Sequence, residues 1–198
     1  MAKIKSSSKK KKQQKKQDIS LIVVIILSVL LTGLIYTQSG TIGIALSDFF
    51  GGMIGILKYV LPIGAFAVAI KMACVDDDGY ISSKIGQYVL LLIFIAVILS
   101  VYQIYNGEIN IEQNISEIVK DAYQLGENNI GGGALGTIAA VPLFKLFGKI
   151  GTIIVSIGAA VILFATTFGI DVAEIIRSII QSGVENSKNK HELKMEEK

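Results

Sequence analysis

"GGGALGTIAAVPLFKLFGKIGTIIVSIGAAVILFATTFGI", Gly131 to Ile170, joins a glycine cluster to a long apolar run. The run from Gly151 to Ile170 holds twenty residues without a charge. At 1.5 Å per residue that is about 30 Å of helix, the thickness of a bilayer's hydrocarbon core. This segment is therefore read as a membrane span.

The same test, moved outward, finds three more spans. "SLIVVIILSVLLTGLIYTQ" (residues 20–38) and "GQYVLLLIFIAVILSVYQIY" (86–105) are uninterrupted, while "GGMIGILKYVLPIGAFAVAIKMA" (51–73) contains Lys58 and Pro62. Lys58 stands near one end of its window, from where its ammonium is expected to reach the headgroups. Composition agrees: 52% of the 198 residues are hydrophobic, 18% are charged, and mean hydropathy is +0.59. One small soluble core does not use that much apolar surface.

A lysine run before an apolar core also describes a signal peptide. The first window is longer than a signal core, and no A-x-A-like cleavage site follows it in "YTQSGTIG". It is read as a retained anchor.

Charge then orients the spans. Residues 1–18 carry eight lysines, including Lys9, Lys10, Lys11, Lys12, Lys15 and Lys16, against one aspartate. Such an arm, 1–19, is expected to be disordered and cytoplasmic, a topology determinant lying along anionic headgroups rather than a DNA-binding element. Four spans from there give a transmembrane domain over 20–170 with both termini in the cytoplasm. "CVDDDGYISSK" (74–84) is then a cytoplasmic turn, and 106–130, with five acidic residues and Lys120, is an external loop. Within that loop Ile111, Ile115, Ile118, Val119, Ala122 and Leu125 recur at spacings of three and four, the stripe of an amphipathic helix. Residues 171–183 repeat the pattern through Val172, Ile175, Ile176, Ile179 and Ile180, with Asp171 as N-cap, and predict a juxtamembrane helix. A polar cytoplasmic tail, 184–198, completes the chain.

Parity constrains the glycine segment. If 131–148 crossed fully there would be five spans, and the tail would finish outside. Three leading glycines, Pro142 and the lysines at 145 and 149 instead predict a re-entrant or interfacial element. It is not a phosphate loop: in G-x-x-x-x-G-K-[ST] register Leu143 replaces the first glycine, and Ile150 follows Lys149. Nor does it follow a soluble strand, as a dinucleotide fingerprint must.

What the glycines offer is close packing. Gly132, Gly136 and Ala140 recur every four residues, as do Gly43, Ser47, Gly51 and Gly55, and small-xxx-small faces let helix backbones approach within a bilayer. Both faces are candidates for packing or subunit assembly.

Other chemistry is excluded from the sequence. The single cysteine, Cys74, allows no intramolecular disulfide and no thiolate cluster, and His191 lies alone in a polar tail. Asp76, Asp77 and Asp78 lack the further ligands of a calcium loop. With no catalytic constellation, no cofactor is expected and the chain is read as no enzyme.

The order of features resembles the N-terminal membrane domain of the FtsK/SpoIIIE DNA translocases. The likeness is densest from Gly131 to Ile176: the cluster Gly131 to Gly136, the turn Leu146 to Gly148, a last span begun by Gly151, and the short helix Asp171 to Ile176. The resemblance implies a four-helix anchor for a hexameric, ATP-driven DNA pump at the bacterial division septum, acting in chromosome partition and cell division. The family's Walker motifs and winged-helix reader map to no residue up to Lys198, so the chain reads as a fragment or a free-standing anchor, with DNA reached only through an absent motor. Septal division proteins are expected partners. The competing readings are a small channel or transporter subunit lined by the glycine segment, and a membrane interaction protein without a motor.

Overall fold

The structure, a computed structural model, describes residues 2–74, 81–170 and 177, with side chains from residue 19 onward. Among the described residues six α-helices and one 3-10 turn follow in order: α1 (Ala2–Thr37), α2 (Gly40–Ile54), the 3-10 turn (Gly55–Tyr59), α3 (Val60–Cys74), α4 (Ile81–Tyr105), α5 (Ile115–Glu127) and α6 (Gly133–Phe168). No strand occurs among the described residues, and four helical stretches are long and apolar enough to cross a membrane. The fold is the all-α, four-span membrane architecture expected from the sequence.

Several boundaries differ from expectation. The basic arm continues α1 as helix back to Ala2 instead of being disordered. An apolar span that is already helical removes the nucleation cost, and lysine and glutamine propagate a helix readily. Likewise α4 begins at Ile81, five residues before the expected 86, because Ser82, Ser83 and Lys84 extend the helix beyond its apolar part.

Two changes are larger. The expected span 51–73 begins inside α2; the chain kinks at Gly55 (φ 63°), makes the 3-10 turn and starts α3 at Val60. Pro62 falls in the first turn of α3, where its missing N–H leaves no helical bond unmade. Meanwhile the glycine segment and the last span form one helical element, α6, interrupted only at Gly148, whose φ of 66° and ψ of −174° lie outside helical space. The juxtamembrane helix and tail (apart from Arg177) and the three aspartates lie outside the described residues.

Packing centres on α4, whose most extensive contact is with α6. Val97, Val101, Ile104 and Ala140 form a cluster with Ile118 and Ala122 of α5. Towards the Ile81 end, Val68 of α3 meets Tyr88, Leu91 and Leu92, with Ala160, Leu163 and Phe168 of α6 against them. There the Lys84 ammonium also donates to the Thr166 carbonyl (3.0 Å). Leu21, Val24 and Ile25 of α1 close onto Ala69, Met72 and Ile81. The compact unit ends at Phe168; of the second, starting at Gly169, three residues are described.

Candidate functional site

Of the small residues singled out above, Gly51 and Gly55 meet at the junction of α2, the 3-10 turn, α5 and the start of α6. Gly43 lies against the end of α1, where a Cβ would stand 3.0 Å from the Leu34 carbonyl oxygen. At Gly51 a Cβ would stand 2.9 Å from the Gly126 carbonyl oxygen of α5. Gly55 faces Gly131 directly, and the Ile56 amide donates to the Gly131 carbonyl (3.3 Å). Here glycine is required twice: φ is positive and the opposing backbone occupies the space of a side chain.

The second set faces α4. Gly132 and Gly136 both lie on the Ala96 carbonyl, at Gly136 with a Cβ-to-oxygen distance of 2.7 Å, and Ala140 is fully buried among Val97, Val101 and Ile104. All seven small residues are thus used in contacts within one chain. Buried polar groups accompany them: the Thr137 hydroxyl donates to Ser100 Oγ (3.1 Å), and the Gly132 amide to Gln103 Oε1 (3.4 Å).

Lys58 overturns its expectation. It does not reach the headgroups; it is 1% exposed, and its ammonium donates to both the carbonyl (3.2 Å) and the hydroxyl (2.8 Å) of Ser47. Gln38 Nε2 donates to the same hydroxyl from the end of α1 (3.3 Å). The ammonium also stands 3.2 Å from where a Gly51 Cβ would be, beside Gly126 and Glu127. Two helices, α2 and α5, therefore end close to it, and helix C-termini carry partial negative charge. Buried charge is costly unless surrounded by acceptors and dipoles of this kind. The sequence signal was a lysine inside an apolar window that also holds Gly51, Gly52 and Gly55: small residues leave room for a long side chain to fold inward.

Residues outside the small-residue faces complete the junction. The Tyr123 ring covers Gly52, where any Cβ would overlap it. Burial, then the charges of Glu127 and Asp48, push the Tyr123 phenol above its ordinary value. Nearby, Tyr36 donates to the Tyr59 carbonyl (3.3 Å) and the two rings meet edge to face at 5.1 Å. The stripe predicted for α5 is mostly turned inward, with Ile118 and Ala122 buried and Leu125 half-buried, while Ile115 is 75% exposed. Lys9, Lys10, Lys11, Lys12, Lys15 and Lys16 lie on α1 before the described side chains begin.

Four apolar helical stretches, joined by glycine-to-backbone contacts, define a polytopic helical membrane domain. Its sequence matches the family described as the 4TM region of DNA translocase FtsK/SpoIIIE over residues 31–180, more than half of the chain. The chain belongs to that family. No curated protein and no solved structure matches it. It is a multi-pass membrane chain of the type that anchors FtsK/SpoIIIE translocases, and the matched region is their membrane part rather than their motor.

Proposed function

We propose that this chain is the membrane-anchoring and assembly module of a septal DNA translocase, serving chromosome segregation and cell division in a bacterium and itself catalysing no reaction. The family match over residues 31–180 carries this reading. Four helical stretches long and apolar enough to cross a membrane support it: Ile19–Thr37, Gly40–Cys74, Ile81–Tyr105 and Gly133–Phe168. In this reading the chain crosses four times and both termini are cytoplasmic, the side favoured by the lysine arm. The first half of α6 then enters and leaves one leaflet without crossing. The arm engages anionic headgroups, DNA is met through a motor domain, and copies of the chain associate, six being the number the family resemblance implies.

A fluorescent fusion of the full chain in dividing cells tests the septal role. A band at the constriction, with chromosome ends trapped by the septum when the gene is deleted, is expected. Uniform membrane fluorescence and normal partition would remove the septal assignment. Orientation has its own test in a Cys74→Ser background: Glu117→Cys reacts with an impermeant maleimide in intact cells and Asp77→Cys does not. The reverse pattern overturns the topology.

A further inference from the structure

The basic arm is a rod rather than a loose tail. Helix α1 is one 36-residue element, Ala2–Thr37, of which only Ile19–Thr37 is the candidate span. Residues 2–18 therefore carry the helix about 25 Å beyond the span, at roughly 1.5 Å per residue. A headgroup layer is about 6 Å thick, so Lys15 and Lys16 fall within it, while the six lysines from Lys3 to Lys12 stand about 9–23 Å out. Attraction to headgroups is screened over about 8 Å and fades along this stretch. Nor can the arm lie flat in the interface, which takes an apolar face: the apolar residues between 2 and 18 are Ala2 and Ile4. The headgroup role proposed above is thus left to Lys15 and Lys16.

Helical register orders the charge. Lys5, Lys9, Lys12 and Lys16 fall within about 60° of one another around the helix axis, a cationic line roughly 16 Å long. Spacings of three and four set like charges beside one another, which costs helix stability until an anion neutralises them. A straight rod of this kind fits a partner that is grooved and dense in negative charge. Double-stranded DNA carries one charge per about 1.7 Å, and its major groove, about 12 Å wide, admits a helix about 10–12 Å across. The major groove of double-stranded RNA is too narrow, and single strands are held on aromatic side chains, of which residues 2–18 have none. We propose that the arm is a sequence-independent DNA-binding helix whose Lys5, Lys9 and Lys12 neutralise backbone phosphates. This goes beyond the reading above, in which DNA is met through a motor. In cells it rests on the cytoplasmic orientation; in a nanodisc, with both faces open, it does not.

The full chain in phosphatidylcholine nanodiscs is titrated with a fluorescent DNA duplex between roughly 50 and 200 mM salt. The logarithm of the affinity should fall linearly with that of the salt. Lys5→Gln, Lys9→Gln and Lys12→Gln together should make the slope shallower by about 2.7, at about 0.9 per phosphate contact. Glutamine forms helix about as well as lysine, so the rod itself survives. The corresponding arginine triple should keep the wild-type slope, whereas Ser8→Pro, which keeps every charge but interrupts the helix between Lys5 and Lys9, should weaken binding. An unchanged slope in the glutamine triple overturns the proposal, as does unchanged binding in Ser8→Pro or equal affinity for double-stranded RNA, either of which would make the arm a charged tail. In nanodiscs containing phosphatidylglycerol the difference between wild type and the glutamine triple should persist. Its disappearance there would put the arm on the headgroups and overturn the proposal as well.

Discussion

The glycine junction and the outward faces of α1 and α6 solve the same problem of burying backbone in opposite ways. In the most apolar window of α1 only 11% of residues are buried, and in α6 22%, against 39% for α4. Ile22, Val23, Ile26 and Leu30 of α1, and Ile154 and Ile162 of α6, are each at least half exposed. Around Gly51, Gly55 and Gly126 the closest contacts are instead backbone on backbone. Lipid accepts almost any apolar side chain, whereas a carbonyl oxygen at contact distance accepts none. The first kind of surface fixes where the chain crosses; the second fixes which helices belong together.

That contrast sets an order of mutational effects. Gly55→Ala should be the most damaging, since it combines a strained positive φ with a Cβ on the Gly131 carbonyl; about 3 kcal/mol or more is expected. Thermal melting of the detergent-solubilised chain measures it, and a melting point unchanged from wild type would dissolve the distinction between the two regions. Ser47→Ala comes next, because it takes an acceptor from a buried ammonium, and about 1–3 kcal/mol follows. Lys58→Met should cost less than Ser47→Ala or even stabilise, since an apolar side chain needs no acceptor. If the order were reversed, the charge would be contributing attraction beyond its own burial.

Smaller effects sharpen the other side. Gly33→Ala and Gly158→Ala, where an added Cβ meets nothing within 4 Å, should be within about 0.5 kcal/mol of neutral or gain slightly from helix propensity. Last, Tyr123 should ionise above the normal tyrosine range, visible as the difference between ultraviolet pH titrations of wild type and Tyr123→Phe. Because its folded value is raised, its contribution to holding α5 on α2 is complete below the ordinary tyrosine value and fades as pH rises through the folded one. A normal titration would mean that the ring does not seat on Gly52.

Hydropathy made the spans legible to within a few residues where a helix end coincides with an end of the apolar run, as at Thr37 and Tyr105. It failed between Gly40 and Cys74, because a window average measures transfer into lipid and is blind to direction. A change of direction at Gly55 leaves the average untouched; Pro62, suited to a first turn, was the available clue to where α3 begins. The glycine spacing did identify the packing faces, yet Gly52 and Gly126 meet Tyr123 and Gly51 respectively, each more than seventy positions away along the chain. No local pattern contains that information.

Gly148 and Gly132 separate two demands that the word glycine conceals. At Gly148 a Cβ would meet nothing within 4 Å, so space is ample and only the sign of φ, +66°, excludes ordinary residues. Gly132 has no such φ, but a Cβ there would strike the Ala96 carbonyl. The first position therefore selects handedness and the second selects volume. Chemical synthesis distinguishes them: a D-alanine at 148 fits the dihedral that strains its L-isomer, so the bend in α6 is a property of chirality rather than of crowding.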